Sequence, residues 1–166
     1  MMKEIVTFFL NENKVQVLIE PQTTLLEALR DGIGLTSPKC GCNRGDCGSC
    51  TVILDGLAVK SCLVLAATVE GREVITVDGI YAGELHPVQK AFYEYGAPQC
   101  GYCTPGMVMA TVAYLEQNPN PSEEDLKDTL SGNLCRCGGY QKFLDAAMAV
   151  AKGDYGPISK GGKRNV

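Results

Sequence analysis

The stretch CGCNRGDCGSC, residues 40–50, holds four cysteines and three glycines within eleven residues. Its spacing decides how the N-terminal half is read. Cys42, Cys47 and Cys50 follow C-x4-C-x2-C, the loop spacing of plant-type 2Fe–2S sites, which require one further cysteine downstream. Cys62 meets that requirement. Cys40 falls outside the spacing and reads as a bystander, a small inert residue. The interleaved glycines, Gly41, Gly45 and Gly48, have a physical reason. Four thiolates carry net negative charge, and a tight nest of backbone N–H groups turned toward sulfur needs residues that tolerate positive φ.

The 166-residue chain carries nine cysteines, one histidine and a formal net charge of -4. The mild acidity argues against nucleic acid as the main partner. The start, MMKEIVTFFLNEN, lacks the basic region, longer apolar core and small-residue cleavage site of a secretory signal. No stretch is apolar for long enough to span a bilayer. The expected address is therefore the cytoplasm. Reducing conditions there disfavour disulfides, and an odd cysteine count fits a disulfide framework badly, so the thiols read as metal ligands. With His86 the single histidine, any such site is almost entirely thiolate, which selects zinc or iron–sulfur over magnesium or calcium.

Periodicity divides the chain. Residues 4–10 and 14–19 read as strands, the second alternating through Val15, Val17 and Ile19, with a hairpin turn at 11–13. Thr24 followed by Glu27 marks a capping box, and Leu25, Ala28 and Leu29 give that helix its buried face. Residues 51–54 and 57–59 flank an Asp55-Gly56 turn, and residues 73–77 make a last strand. Beyond a join near residues 78–83 the signals become helical. A short helix is expected over 87–95. Thr104 is expected as N-cap of the next, with Pro105 at its first position. Val108, Val112 and Leu115, with Met107, Met109 and Ala113, make that helix apolar nearly all round, hence central. Ser122 with Asp125 caps a third, and Tyr140, Phe143, Leu144, Ala147, Met148 and Ala151 trace a fourth. The expected class is α+β: a small β-grasp sheet domain over residues 1–79, a helical domain over 80–153, and a flexible tail over 154–166.

The second cysteine group is Cys100, Cys103, Cys135 and Cys137, spaced C-x2-C and C-x-C. Each pair precedes an expected helix start, so two positive helix ends would face one anionic site. Zinc accepts either quartet on donor type alone. His86, Met107 and Met109 read as structural or packing residues, and Gly138-Gly139 as a tight turn. No nucleophile, general base or nucleotide motif accompanies the cysteines. Two one-electron centres without substrate machinery suggest electron relay. A free-standing two-cluster carrier and a zinc-stabilised scaffold are the alternatives.

The runs GCNRGDCGSCTV, KSC, QCGYCTPGM and SGNLCRCGGY, in that order, resemble the iron–sulfur subunit of the molybdenum hydroxylases, the xanthine dehydrogenase and aldehyde oxidoreductase superfamily. The likeness runs from about Lys3 to Lys152. It implies a β-grasp, ferredoxin-like 2Fe–2S domain followed by a four-helix 2Fe–2S-binding domain, two 2Fe–2S clusters, a large partner subunit carrying molybdopterin, and usually a medium partner subunit carrying FAD. It also implies that Cys100, Cys103, Cys135 and Cys137 hold the cluster nearer molybdenum, and Cys42, Cys47, Cys50 and Cys62 the one nearer the flavin. Gln99 matches the glutamine lying against the pterin in relatives, and Cys137 the ligand whose sulfur approaches the pterin amine. No catalytic residue is expected in this chain. Many relatives have Thr after the C-x-C pair, where this chain has Gly138. The chain ends before any flavin or molybdenum domain, which resembles the separate-subunit architecture.

Overall fold

A computed structural model describes residues 3–81 and 83–158. Strands β1 (Glu4–Leu10) and β2 (Asn13–Ile19) form a hairpin. Its two turn residues, Asn11 and Glu12, take positive φ (49° and 69°), the conformation that matches the twist of the flanking strands. Val6, Phe8, Leu10, Val17 and Ile19 point into the core, while Ile5 and Leu18 stay outside. Asn11 also ties the hairpin to the end of the sheet, accepting the Thr76 N–H at 2.9 Å.

The capping box forms: the Glu27 N–H donates to Thr24 Oγ1 and the Thr24 N–H to the Glu27 carboxylate. Helix α1 (Leu25–Glu27) is short, and the chain continues as a wider π turn over Ala28–Gly32. The expected face of Leu25, Ala28 and Leu29 is buried. Leu26 is buried as well, against Cys50 and Cys62. Strands β3 (Thr51–Leu54) and β4 (Leu57–Lys60) flank the Asp55-Gly56 turn, again with positive φ at both residues. The last strand, β5 (Glu73–Ile75), stops two residues earlier than the sequence suggests. The sheet order is β2-β1-β5-β3-β4, with β1 and β5 parallel and the other neighbours antiparallel. With α1 packed on one face, this is a β-grasp sheet.

The second half comprises α2 (Pro87–Glu94), α3 (Thr104–Gln117), α4 (Glu123–Ser131) and α5 (Tyr140–Ala151). His86 caps α2, its Nδ1 accepting the Val88 N–H at 3.2 Å, which is the structural role expected of it. Ser122 and Asp125 form the box that opens α4. The start of α3 differs from expectation. Cys103 takes the N-cap position, so Thr104 is the first helical residue, with Pro105 after it. Proline is equally at home there, because the first helical N–H groups have no intrahelical acceptor. Phe92 of α2 meets Phe143 of α5 edge to face at 4.9 Å. Among the described residues no helix is long and apolar enough to cross a membrane.

The apolar girth of α3 has a simple cause. The other helices cover one side and β3 and β4 cover the other. Strand β3 is therefore buried on both faces. Val52 and Leu54 enter the core of the sheet domain, whereas Ile53 enters the helical core beside Val112 and its neighbours. Alternate side chains of a strand face opposite ways, so one strand serves two cores. Of the expected tail, Tyr155 and Ile158 lie against the helical core, and the Tyr155 hydroxyl donates to Glu94 at 2.9 Å. Residues 159–166 lie outside the described residues.

Truncating Ile53 to Ala opens a cavity at the junction. The expected cost is about 2–5 kcal/mol. In urea unfolding, signals from the sheet and the helices should fall together to the lower midpoint. Loss confined to the sheet signal would contradict the shared strand.

Candidate metal centre

The loop over residues 41–50 is organised around sulfur. Three backbone N–H groups, of Arg44, Asp46 and Cys47, approach Cys42 Sγ at 3.5, 3.3 and 3.4 Å. To wrap a chain this tightly, Asn43, Gly45 and Gly48 take positive φ. Gly41 does not. Its reason is proximity: a Cβ there would stand 2.8 Å from Cys47 Sγ, closer than any real contact. The N–H donors have an electrostatic consequence. The Arg44 and Cys47 N–H groups pull the Cys42 thiol down from its ordinary value of 9.0 to about 7. Hydrogen bonds to the charged form favour it.

Within this quartet the thiols come as pairs. Cys42 is hydrogen-bonded by Cys47, and both are half-buried. Cys62 bonds Cys50, and both are buried beneath Leu26. Burial, then the neighbouring Cys50 thiol, push Cys62 up to about 11, against the Gly45 N–H that lowers it.

The second quartet repeats the arrangement at helix starts. Cys103 is the N-cap of α3, and Cys135 and Cys137 lie in the turn before α5. The Gly139 N–H, at the mouth of α5, approaches Cys135 Sγ at 3.4 Å. The Cys135 N–H is itself held by the Tyr140 hydroxyl at 2.9 Å. Burial raises the Cys135 thiol, yet the Gly139 N–H, the Cys103 thiol and further N–H groups together bring it below its ordinary value. Cys103 is pushed up to about 12 by burial and by the thiol of Cys135. Cys100 is lowered by the Tyr102 N–H and then by the Cys137 thiol. The pairs are thus Cys103 with Cys135, buried, and Cys100 with Cys137, exposed.

Among the described residues no group of three or more His, Cys, Asp or Glu side chains is arranged to hold a single metal ion. Within each quartet the thiols meet in twos, and the twos also interact, Cys62 with Cys42 and Cys100 with Cys103 and Cys135. A mononuclear zinc site draws four donors onto one tetrahedral point. A two-iron cluster takes two thiolates at each end, so paired sulfurs facing N–H donors fit it in donor type, number and charge.

The two quartets adjoin. A cleft of about 660 Å³ is lined by Cys47 and Ser49 from one loop and by Cys100, Cys135 and Tyr140 from the other domain. The Leu134 N–H donates to the Cys47 carbonyl at 2.9 Å, linking the two sites. Cys40 enters through its backbone: its carbonyl accepts the Tyr102 hydroxyl at 2.8 Å, while its thiol is exposed. Gln99 is exposed and donates from Nε2 to the Cys137 carbonyl at 3.1 Å, so these two expected cofactor contacts adjoin on one surface. Arg136, between two of the cysteines, is exposed. Sequence periodicity carries no signal for Leu26, Tyr102 and Tyr140 as supports of the sites, because each acts across a turn or between domains.

Comparisons with known proteins agree with this geometry. Residues 8–77 match the 2Fe-2S iron-sulfur cluster binding domain family, and residues 76–148 match a second 2Fe-2S binding domain family. The small subunit of nicotine 6-hydroxylase from Paenarthrobacter nicotinovorans is 45% identical over 138 residues, covering 83% of this chain and 84% of that one. The crystal structure of quinoline 2-oxidoreductase from Pseudomonas putida 86 superposes with a TM-score of 0.86 at 40% identity, covering 90% of this chain and 94% of that one. Aldehyde oxidoreductase from Desulfovibrio desulfuricans superposes with a TM-score of 0.85 at 42% identity, with 91% of this chain matching 17% of the longer one. The chain belongs to the family of two-cluster iron–sulfur subunits and domains of the xanthine dehydrogenase and aldehyde oxidoreductase type.

In the metal-free chain at neutral pH, limiting alkylating reagent is expected to label Cys42 and Cys100 well before Cys62 and Cys103, because the thiolate is the reactive form. Peptide mapping by mass spectrometry checks the order. Early labelling of Cys103 would contradict its burial.

Proposed function

We propose that this chain is the electron-transfer subunit of a molybdenum-containing hydroxylase or dehydrogenase. In this reading Cys42, Cys47, Cys50 and Cys62 hold one 2Fe–2S cluster, and Cys100, Cys103, Cys135 and Cys137 hold the other. Each cluster, when bound, accepts and returns one electron. The chain's own residues supply the surroundings. The Arg44, Asp46 and Cys47 N–H groups neutralise charge at Cys42, and the mouth of α5 does so at Cys135. Leu26 keeps water from the Cys50–Cys62 pair. The observation that carries the reading is the gathering of eight thiols into two neighbouring quartets, with Cys47 of one and Cys100, Cys103 and Cys135 of the other lining a shared cleft.

The partners are a molybdopterin-binding large subunit and an FAD-binding medium subunit in the cytoplasm. Gln99 and Cys137, exposed and hydrogen-bonded to each other, form the face toward the pterin. The half-buried Cys42–Cys47 pair marks the end toward the flavin. Electrons enter from the molybdenum side in a hydroxylase and run the opposite way in a reductase. In this reading the large subunit carries out the substrate chemistry and selects the substrate.

Anaerobically purified protein is expected to contain about four irons per chain, little zinc, and two distinct EPR signals on reduction. Stoichiometric zinc in a colourless protein would overturn the proposal in favour of a zinc scaffold, and purification as a stable monomer without larger partners would favour a free carrier. Cys42→Ser should abolish one signal, whereas Cys40→Ser should retain both. Iron loss in the Cys40 variant would mean that the loop is assigned wrongly. Gln99→Ala should keep both signals and slow reduction of the clusters by substrate in the assembled complex. An unchanged rate would remove Gln99 from the pterin face.

A further inference from the structure

The carbonyl of Gly48 lies between two of the proposed ligands, Cys47 and Cys50, and is met by three donors. Two come from its own domain: the Thr51 N–H at 3.0 Å and the Thr51 hydroxyl at 2.7 Å. The third is Asn133 Nδ2 at 3.0 Å, from the turn before α5, two residues ahead of Cys135. Asn133 is only 3% exposed. The next residue, Leu134, donates its N–H to the preceding carbonyl, that of Cys47. Consecutive residues of one domain therefore bond consecutive carbonyls of the other, at or within two residues of a proposed ligand on each side.

The backbones meet at this point without side chains between them. A Cβ on Gly106, in the first turn of α3, would stand 2.2 Å from the Gly48 oxygen, and a Cβ on Gly48 would stand 2.5 Å from the Gly132 oxygen. Three segments are thus in van der Waals contact through glycine, and Asn133 supplies the side-chain hydrogen bond across the junction. The Gly48 carbonyl does not need this bond for satisfaction, because Thr51 already supplies two donors and a carbonyl has two lone pairs. What the Asn133 bond adds is registry between the domains.

We infer that Asn133 is a positioning residue that, seated against Gly48 and Gly106, fixes the separation of the two iron–sulfur sites and so governs the passage of electrons between them. The inference rests on the iron–sulfur reading above. Electron transfer and the magnetic interaction of two reduced centres both depend steeply on their separation. A clasp placed one or two residues from a ligand on each side bears directly on that separation, as does the Tyr102 hydroxyl bond to the Cys40 carbonyl.

Two substitutions act on the contact from different sides. Asn133→Leu keeps the branched shape and heavy-atom count of the side chain and replaces the donor with a methyl group. Gly106→Ala drives a methyl group into the Gly48 carbonyl. Each is to be made in the full chain within its native complex, reduced with dithionite and followed by EPR, with iron content measured alongside. Both clusters are expected to remain, with their two signals, while the mutual splitting of those signals changes from the parent's and electron transfer between the sites slows. Because Thr51 still satisfies the Gly48 carbonyl, Asn133→Leu is expected to fold and to decide the matter even where Gly106→Ala does not accumulate. Unchanged splitting and transfer rate in a fully loaded Asn133→Leu protein would overturn the inference. A parent protein without two iron–sulfur signals would instead overturn the reading on which it rests.

Discussion

Eight thiols gathered into two small volumes create a charge problem, and much of the local structure answers it. A buried anion is tolerated only where donors replace the water it has lost. Here the donors are backbone N–H groups, which are fixed in place and carry no countercharge. The loop over residues 41–50 bends through left-handed conformations to turn three of them toward Cys42. The helical domain solves the same problem with helix mouths, where unpaired N–H groups already point outward. Two unrelated folds thus arrive at one electrostatic solution. This explains why glycines cluster around the first quartet, and why the second sits at the starts of α3 and α5.

Each quartet is also graded. Cys50 and Cys62 are sheltered while Cys42 and Cys47 are half-buried. Cys103 and Cys135 are sheltered while Cys100 and Cys137 are exposed. The shift of Cys42 to about 7, set against Cys62 at about 11 and Cys103 at about 12, follows that grading, whereas sheltered Cys135 is held below its ordinary value by N–H groups and the Cys103 thiol. A site with one end open and one end closed has a direction, which suits a relay between two different partners better than a symmetric scaffold.

Much of this architecture was legible in the sequence because its signals are local. The C-x4-C-x2-C spacing, the Thr24–Glu27 and Ser122–Asp125 boxes, the Asp55-Gly56 turn and the period of α5 each depend on residues within one turn or one hairpin. The misreadings also have physical causes. Thr104 resembles an N-cap by type, but Cys103 occupies that position because the chain must present its sulfur at the helix mouth. Gly41 resembles a positive-φ glycine, yet it is required by the approach of Cys47 Sγ. Leu26 lies beyond the expected apolar stripe because the helix widens into a π turn and the opposite side meets Cys50 and Cys62. The bonds from Asn133 and Leu134 to Gly48 and Cys47 join residues more than eighty positions apart, and no local pattern announces them.

Strand β3 lends its residues alternately to two cores, and this bears on how such chains are inherited. Were the halves cut apart near residue 79, Ile53 and the apolar flank of α3 would both face solvent, so neither half makes an independent building block. In the Desulfovibrio enzyme 91% of this chain matches 17% of a longer polypeptide, so both halves, with the strand they share, are carried there together.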